Sequence, residues 1–295
     1  MATETLKTID LDAGRRAFIR HVGLVSAGLG VLGVTTLQSH EAHAQTLTDV
    51  NILNFALNLE YLEAEFYLRA AFGRGLADND ITGKGTQGNV LGGRQVDFPN
   101  GSPVGAFAKE IAGDEEAHVK FLRGALGAAK VARPRLDLRN SFTKAARAAG
   151  LIGNGQQFDP YANEINFLLA AFIFEDVGVT AYKGAARFID NKDYLEAAAG
   201  ILAVEAYHAG EIRTLLYQRG AFDQTKAISK LRDTADGAGN RDEPIKVAGK
   251  ANIVPTDANG VAFSRTPDQV LNIVYLGGEA AGFGFFPNKL NGPIK

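Results

Sequence analysis

The chain of 295 residues contains no cysteine. That removes disulfides, thiolate metal ligands, iron-sulfur clusters and cysteine nucleophiles at once, and it excludes a lipoprotein anchor. Metal chemistry, if there is any, must run on oxygen and imidazole donors. An excess of one charge is missing as well: 31 Lys and Arg stand against 33 Asp and Glu, a formal charge of -2, so nothing polybasic argues for nucleic acid. Histidine is scarce, with five in all. What is plentiful is apolar character, 46% of residues, ample for a buried core.

Three of the five histidines fall in the first 44 residues, which read as an export signal. Arg15-Arg16-Ala17-Phe18-Ile19-Arg20 precedes a weakly apolar, glycine-rich run from Val22 to Leu37, and Ala42-His43-Ala44 supplies a small-x-small cleavage site. The paired arginines with Phe two positions on resemble a twin-arginine signal, whose pathway exports proteins already folded. The apolar run is short for a bilayer span of about 20 residues, so cleavage is expected, with no stable membrane span afterwards and a periplasmic or extracellular destination. Folded export also lets a metal be chosen in the cytoplasm, before the chain meets the metals of the envelope.

Four long apolar-periodic segments between Thr48 and Gly220 predict helices. The first runs from a Thr48 cap to Gly73. The second opens at Ser102-Pro103 and fades at Gly124 to Gly127, the third opens at Asp159-Pro160 and runs to about Ile189, and the fourth runs from Asn191 to Gly220. Residues 73–101 read as a long surface loop, and 128–158 as a second connection with a short helix from Ser141 to Ala149 closed by Gly150. The fold class is all-α: residues 45–220 form a four-helix bundle with long inter-helix loops, and 221–295 an irregular C-terminal extension. In that extension Thr266-Pro267-Asp268-Gln269 supplies a capping box for one short helix reaching Tyr275. The aromatic end, Gly282-Phe283-Gly284-Phe285-Phe286-Pro287, needs a covering surface, either the bundle or a second subunit of a homo-oligomer.

Both remaining histidines follow a glutamate by three residues, in Glu115-Glu-Ala-His118 and Glu205-Ala-Tyr-His208. On a helix that step returns to nearly the same face, so each Glu and His can address one ion. With glutamate near 5% of residues, finding both by chance is a roughly one-in-400 event. Glu115 and Glu205 lie on apolar stripes, and so do Glu60, beside Leu53, Leu57 and Tyr67, and Glu175, beside Leu168, Phe172 and Tyr182. A buried carboxylate needs a partner or a proton, and no Lys or Arg shares these stripes. Two divalent metal ions would balance four carboxylates, with one imidazole for each ion.

The halves of the chain echo each other. Tyr67 follows Glu60 by seven residues as Tyr182 follows Glu175, and Ile111-Ala-Gly-Asp-Glu115 parallels Ile201-Leu-Ala-Val-Glu205, with arginines at 123 and 213. Glu63 also faces inward, as an additional ligand or as a hydrogen-bonded carboxylate behind the ligands. Tyr67, Tyr182 and Tyr207 either tune the site or pack. Glu116, Asp176 and Glu211 are expected to be solvated. Arg123 and Arg213, about 140° around the helix from their histidines, are expected at the surface.

These residues resemble the ferritin-like superfamily, and within it the family that includes the desiccation-related proteins of plants and bacteria. The segment from Leu53 through Glu60, Glu63 and Tyr67 looks like that family's first helix, and the tail from Pro255 to Tyr275 looks like its C-terminal signature. The resemblance implies a ferritin-like bundle in which Glu60, Glu115, His118, Glu175, Glu205 and His208 hold two Fe or Mn ions. Glu115 and Glu205 would bridge, with Glu60 and Glu175 terminal. Relatives include ferritins, rubrerythrins and manganese catalases, so the ligand set leaves the reaction open. The implied activity is on peroxide or oxygen in oxidative or desiccation stress; a non-enzymatic protective scaffold and metal sequestration without turnover are the alternatives.

Overall fold

Each long helix begins at a side-chain cap. In the computed structural model, which describes residues 47–295, α1 (Asp49–Phe72) starts after Thr48, whose hydroxyl accepts from the Asn51 amide, and stops at Gly73 in the left-handed region at φ 70°. The segment read as a twin-arginine signal, with its expected cleavage site, lies outside the described residues. Ser102 and the first-turn Pro103 open α2 (Pro103–Leu126). A short helix, α3 (Asn140–Ala148), follows. Asn163 caps α4 (Glu164–Ala186) and Asn191 caps α5 (Lys192–Gln218).

The start of α4 differs from the expectation at Asp159-Pro160. Asp159 instead accepts the Tyr161 amide at 2.9 Å in a local turn, and its carbonyl takes the Asn166 side chain. The turn spends the capping group of Asp159, and Asn163 provides the next one. At the far end the helix stops at Ala186, three residues before Ile189.

The fold is all-α. α1 packs along α2 and α4 along α5, and the two pairs join through contacts of α1 with α4 and α2 with α5. α4 is long and apolar enough to cross a membrane by length and composition, but 83% of that window is buried within the fold. It is the central core helix, carrying Phe167, Leu168, Phe172 and Phe174.

Beyond Gly220 there are two helices where the sequence reading placed one. α6 (Phe222–Ala235) buries Thr225, Ile228, Ser229 and Arg232. The spacing is helical, but three of those four side chains are polar, so an apolar-periodicity reading passes over it. α7 (Pro267–Val274) has both halves of the capping box, Thr266 with Gln269. The aromatic end is covered by the chain itself: the Phe285 ring lies 5.0 Å from those of both Phe142 and Phe174.

Small sheet fragments tie the long connections. β1 (Val90–Leu91) pairs in parallel with β2 (Leu136–Asp137), joining the loop after α1 to the loop after α2. β3 (Lys246–Val247) and β4 (Lys250–Ala251) form a hairpin in the extension.

Candidate metal centre

Six side chains from four helices converge in the middle of the bundle. α1 supplies Glu60, α2 supplies Glu115 and His118, α4 supplies Glu175, and α5 supplies Glu205 and His208. All are buried; the most exposed, His118, retains 8%. Their donor atoms form two interlocking groups, Glu60, Glu115, His118 and Glu205, and Glu115, Glu175, Glu205 and His208. Within each group the ligand atoms lie within 4.8 Å of one another, and Glu115 and Glu205 belong to both. The His118 and His208 ring centroids are 6.3 Å apart.

The atoms that turn inward lack hydrogen-bond partners. They are Oε2 of Glu60 and of Glu175, both carboxylate oxygens of Glu115 and of Glu205, and Nδ1 of each histidine. His118 Nδ1 stands 3.2 Å from Glu60 Oε2, and His208 Nδ1 3.1 Å from Glu115 Oε1, but the pairs lack hydrogen-bond geometry. Orphaned buried polar atoms are costly, and eight of them around one spot need an explanation. Divided so that each shared carboxylate gives one oxygen to each side, they make four donors for each of two ions. Oxygen and imidazole suit divalent transition metals such as Fe or Mn.

The outward atoms are fixed from behind. Tyr182 of α4 donates to Glu60 Oε1, and Tyr67 of α1 donates to Glu175 Oε1, so each tyrosine of the repeat holds the carboxylate of the other half. Each of these glutamates thus has one oxygen held and one free. Asp114 Oδ2 lies 3.1 Å from His208 Nε2, which leaves Nδ1 for the interior. Gly178 makes room: a Cβ there would stand 2.2 Å from Glu205 Oε2 and 3.6 Å from Glu63 Oε1.

Burial and mutual charge move the acidities apart. Burial, then the charge of Glu115, pushes the Glu60 carboxyl up to about 7, and burial pushes Glu175 up to about 8 against the pull of His208. Glu63 and Glu205 are raised well above the carboxylate range by burial and by the charge of Glu115. Glu115 goes the other way: burial would raise it, but His118 and His208 hold it down to about 2. Burial would lower both histidines, yet Glu60 and Glu115 lift His118 to about 11, while Glu115 and Glu175 lift His208 to about 10. Without metal, protons do the work of charge balance.

Several sequence expectations need correction. Arg123 and Arg213 are buried, not superficial. Arg123 bonds Tyr61 Oη at 2.6 Å and the carbonyls of Thr82 and Asn79 at 2.6 and 2.7 Å. Arg213 bonds Asp176 at 2.8 Å and the carbonyls of Glu243, Pro244 and Asn252. Asp176 is therefore a buried ion-pair partner rather than a solvated residue. The faces judged outward are covered by loops and by the extension, a layer that helix periodicity does not reveal. Glu116 pairs with Arg74 at 2.7 Å and with Lys120 at 3.0 Å, Glu211 is half-buried, and Tyr207 projects into solvent. Asp114 and Gly178 were given no role in the sequence; their signal was the half-to-half alignment, which sets Asp114 opposite Val204 and Glu63 opposite Gly178.

Comparison with known proteins agrees with this geometry. The family model described as "Ferritin-like domain" matches residues 48–218. The chain is 34% identical over 252 residues to the desiccation-related protein PCC13-62 of Craterostigma plantagineum, covering 79% of each chain. It is 28% identical over 277 residues to the ferritin-like catalase Nec2 of Nesocodon mauritianus, covering 83% of this chain and 84% of that one. No solved structure matches.

Proposed function

This chain belongs to the ferritin-like domain family, and from that membership we propose an exported protein that disproportionates hydrogen peroxide at a dinuclear Fe or Mn centre. The observation that carries the reading is the set of eight partnerless donor atoms from Glu60, Glu115, His118, Glu175, Glu205 and His208, gathered into two groups that share Glu115 and Glu205. Two redox-active ions held by these residues would supply a two-electron couple, and two peroxides would balance as two waters and one dioxygen. No electron donor is then needed, which sets this reading ahead of oxidase or ferroxidase chemistry. The catalase among the relatives points the same way.

The protein's own groups have distinct parts in this reading. Glu115 and Glu205 would be the shared ligands, and Glu60 and Glu175 the terminal ones. Tyr67 and Tyr182 keep their phenol protons, because burial pushes both well above the usual tyrosine range, and so each remains a donor to its carboxylate. Burial of the six side chains excludes bulk water and limits entry to molecules as small as peroxide or oxygen.

The same closure favours a second reading, in which the metals are held without turnover and the protein acts as a protective scaffold or metal store. The purified protein, metal-counted and supplied with peroxide in an oxygen electrode, decides between them. Two Fe or Mn per chain with rapid oxygen evolution, abolished in His118→Ala, is the expected result. Two metals without oxygen evolution would favour the second reading. No metal in protein folded at native metal supply would sink both. For export, replacing Arg15 and Arg16 by Lys should hold the protein in the cytoplasm of a fractionated cell; unchanged distribution contradicts the twin-arginine assignment.

A further inference from the structure

The two long connections of the first half of the bundle meet each other through β1 and β2. Together with α3 they border an open cleft of about 860 Å³, a volume within the range of small-molecule sites. Four cationic side chains line it, Arg94, Arg139, Lys144 and Arg147, with one carboxylate, Asp159. That carboxylate is already paired with Arg94 at 2.6 Å. Nearby Asp137 is also engaged, accepting the amides of Arg139 and Asn140 at 3.0 and 2.8 Å at the start of α3.

The other three cations have no ion pair, and two of them are held by carbonyls. Lys144 donates to the Ala281 carbonyl at 2.8 Å and Arg147 to the Gln156 carbonyl at 2.9 Å. Those bonds orient the side chains and leave the charge uncancelled. Among the described residues the Arg139 guanidinium has no ion pair or hydrogen bond; only its backbone amide is engaged, by Asp137. Three uncompensated positive charges along one wall, in a chain whose formal charge is -2, repel each other and focus a positive potential into the cleft. Guanidinium groups in particular present forked donors that match phosphate, sulfate and carboxylate.

We propose that this cleft binds a small ligand carrying two or more oxyanion groups, seated on Arg139, Lys144 and Arg147. None of its lining residues is a candidate metal ligand, so the proposal stands apart from the peroxide reading. Thr143, Gln157 and Phe158 add a hydroxyl, an amide and a ring to the same cleft, a surface suited to a hydroxylated carrier for those groups.

The test uses the full exported chain with its metal. Hexose bisphosphate and digalacturonate are titrated calorimetrically, with maltose as the neutral control, at about 50 mM and about 200 mM salt. At low salt at least one of these two polyanions should bind with a dissociation constant below about 1 mM, weakening at high salt, while maltose does not bind. The one that binds distinguishes a phosphate ligand from a carboxylate one. The double variant Arg139→Ala/Arg147→Ala should lose roughly ten-fold or more in affinity, whereas Lys226→Ala/Lys230→Ala, which removes two exposed charges on α6, should not. Because Arg139 and Arg147 are exposed, the variant should melt as the parent does; should it not fold, Lys144→Gln carries the same expectation. The proposal is overturned by absence of binding, by undiminished affinity in the cleft variants, or by equal loss in the α6 control.

Discussion

Asp114 makes the two halves of the centre unequal. It holds His208 through Nε2, and the position equivalent to it in the repeat, beside Glu205, is Val204. A carboxylate behind a ligating imidazole fixes the tautomer and raises basicity, and removing it typically costs about 10–100-fold in metal affinity. Asp114→Asn should therefore weaken the ion on the His208 side by roughly that factor and spare the ion on the His118 side. A chelator competition that resolves two binding steps measures this. Equal weakening of both steps would show that Asp114 does not act through His208. Glu63 and Gly178 break the symmetry in the same manner, since they are equivalent positions and only the glycine leaves space for the Glu205 carboxylate.

At the scale of elements, the repeat extends beyond the ligands. Arg123 of α2 reaches Tyr61, the residue after Glu60, and pins the loop after α1; Arg213 of α5 reaches Asp176, the residue after Glu175, and pins the extension. The cluster of candidate ligands was legible in the sequence because a glutamate on an apolar stripe is a conflict visible in one dimension. The arginines were not, because what covers them is polar backbone from distant segments. α6 was hidden for a related reason: its buried face presents Arg232, which bonds Asp176 and Asp242 at 2.8 and 2.6 Å. Arg265 continues the chain of charges to Asp242 and Asp236 at 2.9 and 2.7 Å. In this ladder three arginines alternate with three aspartates, all inside the protein. Asp176 keeps Arg232 when Arg213 is removed, but the carbonyls of Glu243 and Asn252 lose their donor, so Arg213→Ala should cost about 3 kcal/mol and lower Tm by on the order of 10 °C. Hydrogen exchange should quicken first in residues 243–252, and a variant that melts like the parent would show that the ladder contributes little.

For the whole molecule, a bound metal would compete with protons for the same interior charge, which fixes the sign of the expected pH response. Glu60 and Glu175, raised to about 7 and 8, favour folding of the metal-free protein while protonated. That contribution is present below the ordinary carboxylate range and is lost as pH rises through 7 and 8. His118 and His208, raised to about 11 and 10, stabilise as cations below their ordinary value and lose this as pH rises through 10 and 11. Glu115, held down to about 2, is ionised throughout this window and does not alter the trend. Every such group on the metal-free protein thus argues for lower stability at pH 9 than at pH 6. Loading divalent ions would expel protons from both histidines and from the raised carboxylates, so affinity should climb with pH and the stabilisation by bound metal with it. Thermal melting from pH 6 to pH 9 should accordingly fall for metal-free protein and rise for protein held at fixed free Mn or Fe. Calorimetry in buffers of different ionisation enthalpy counts the protons directly. Parallel pH trends in the two forms, or metal uptake without proton release, would mean that these six side chains do not hold the ions.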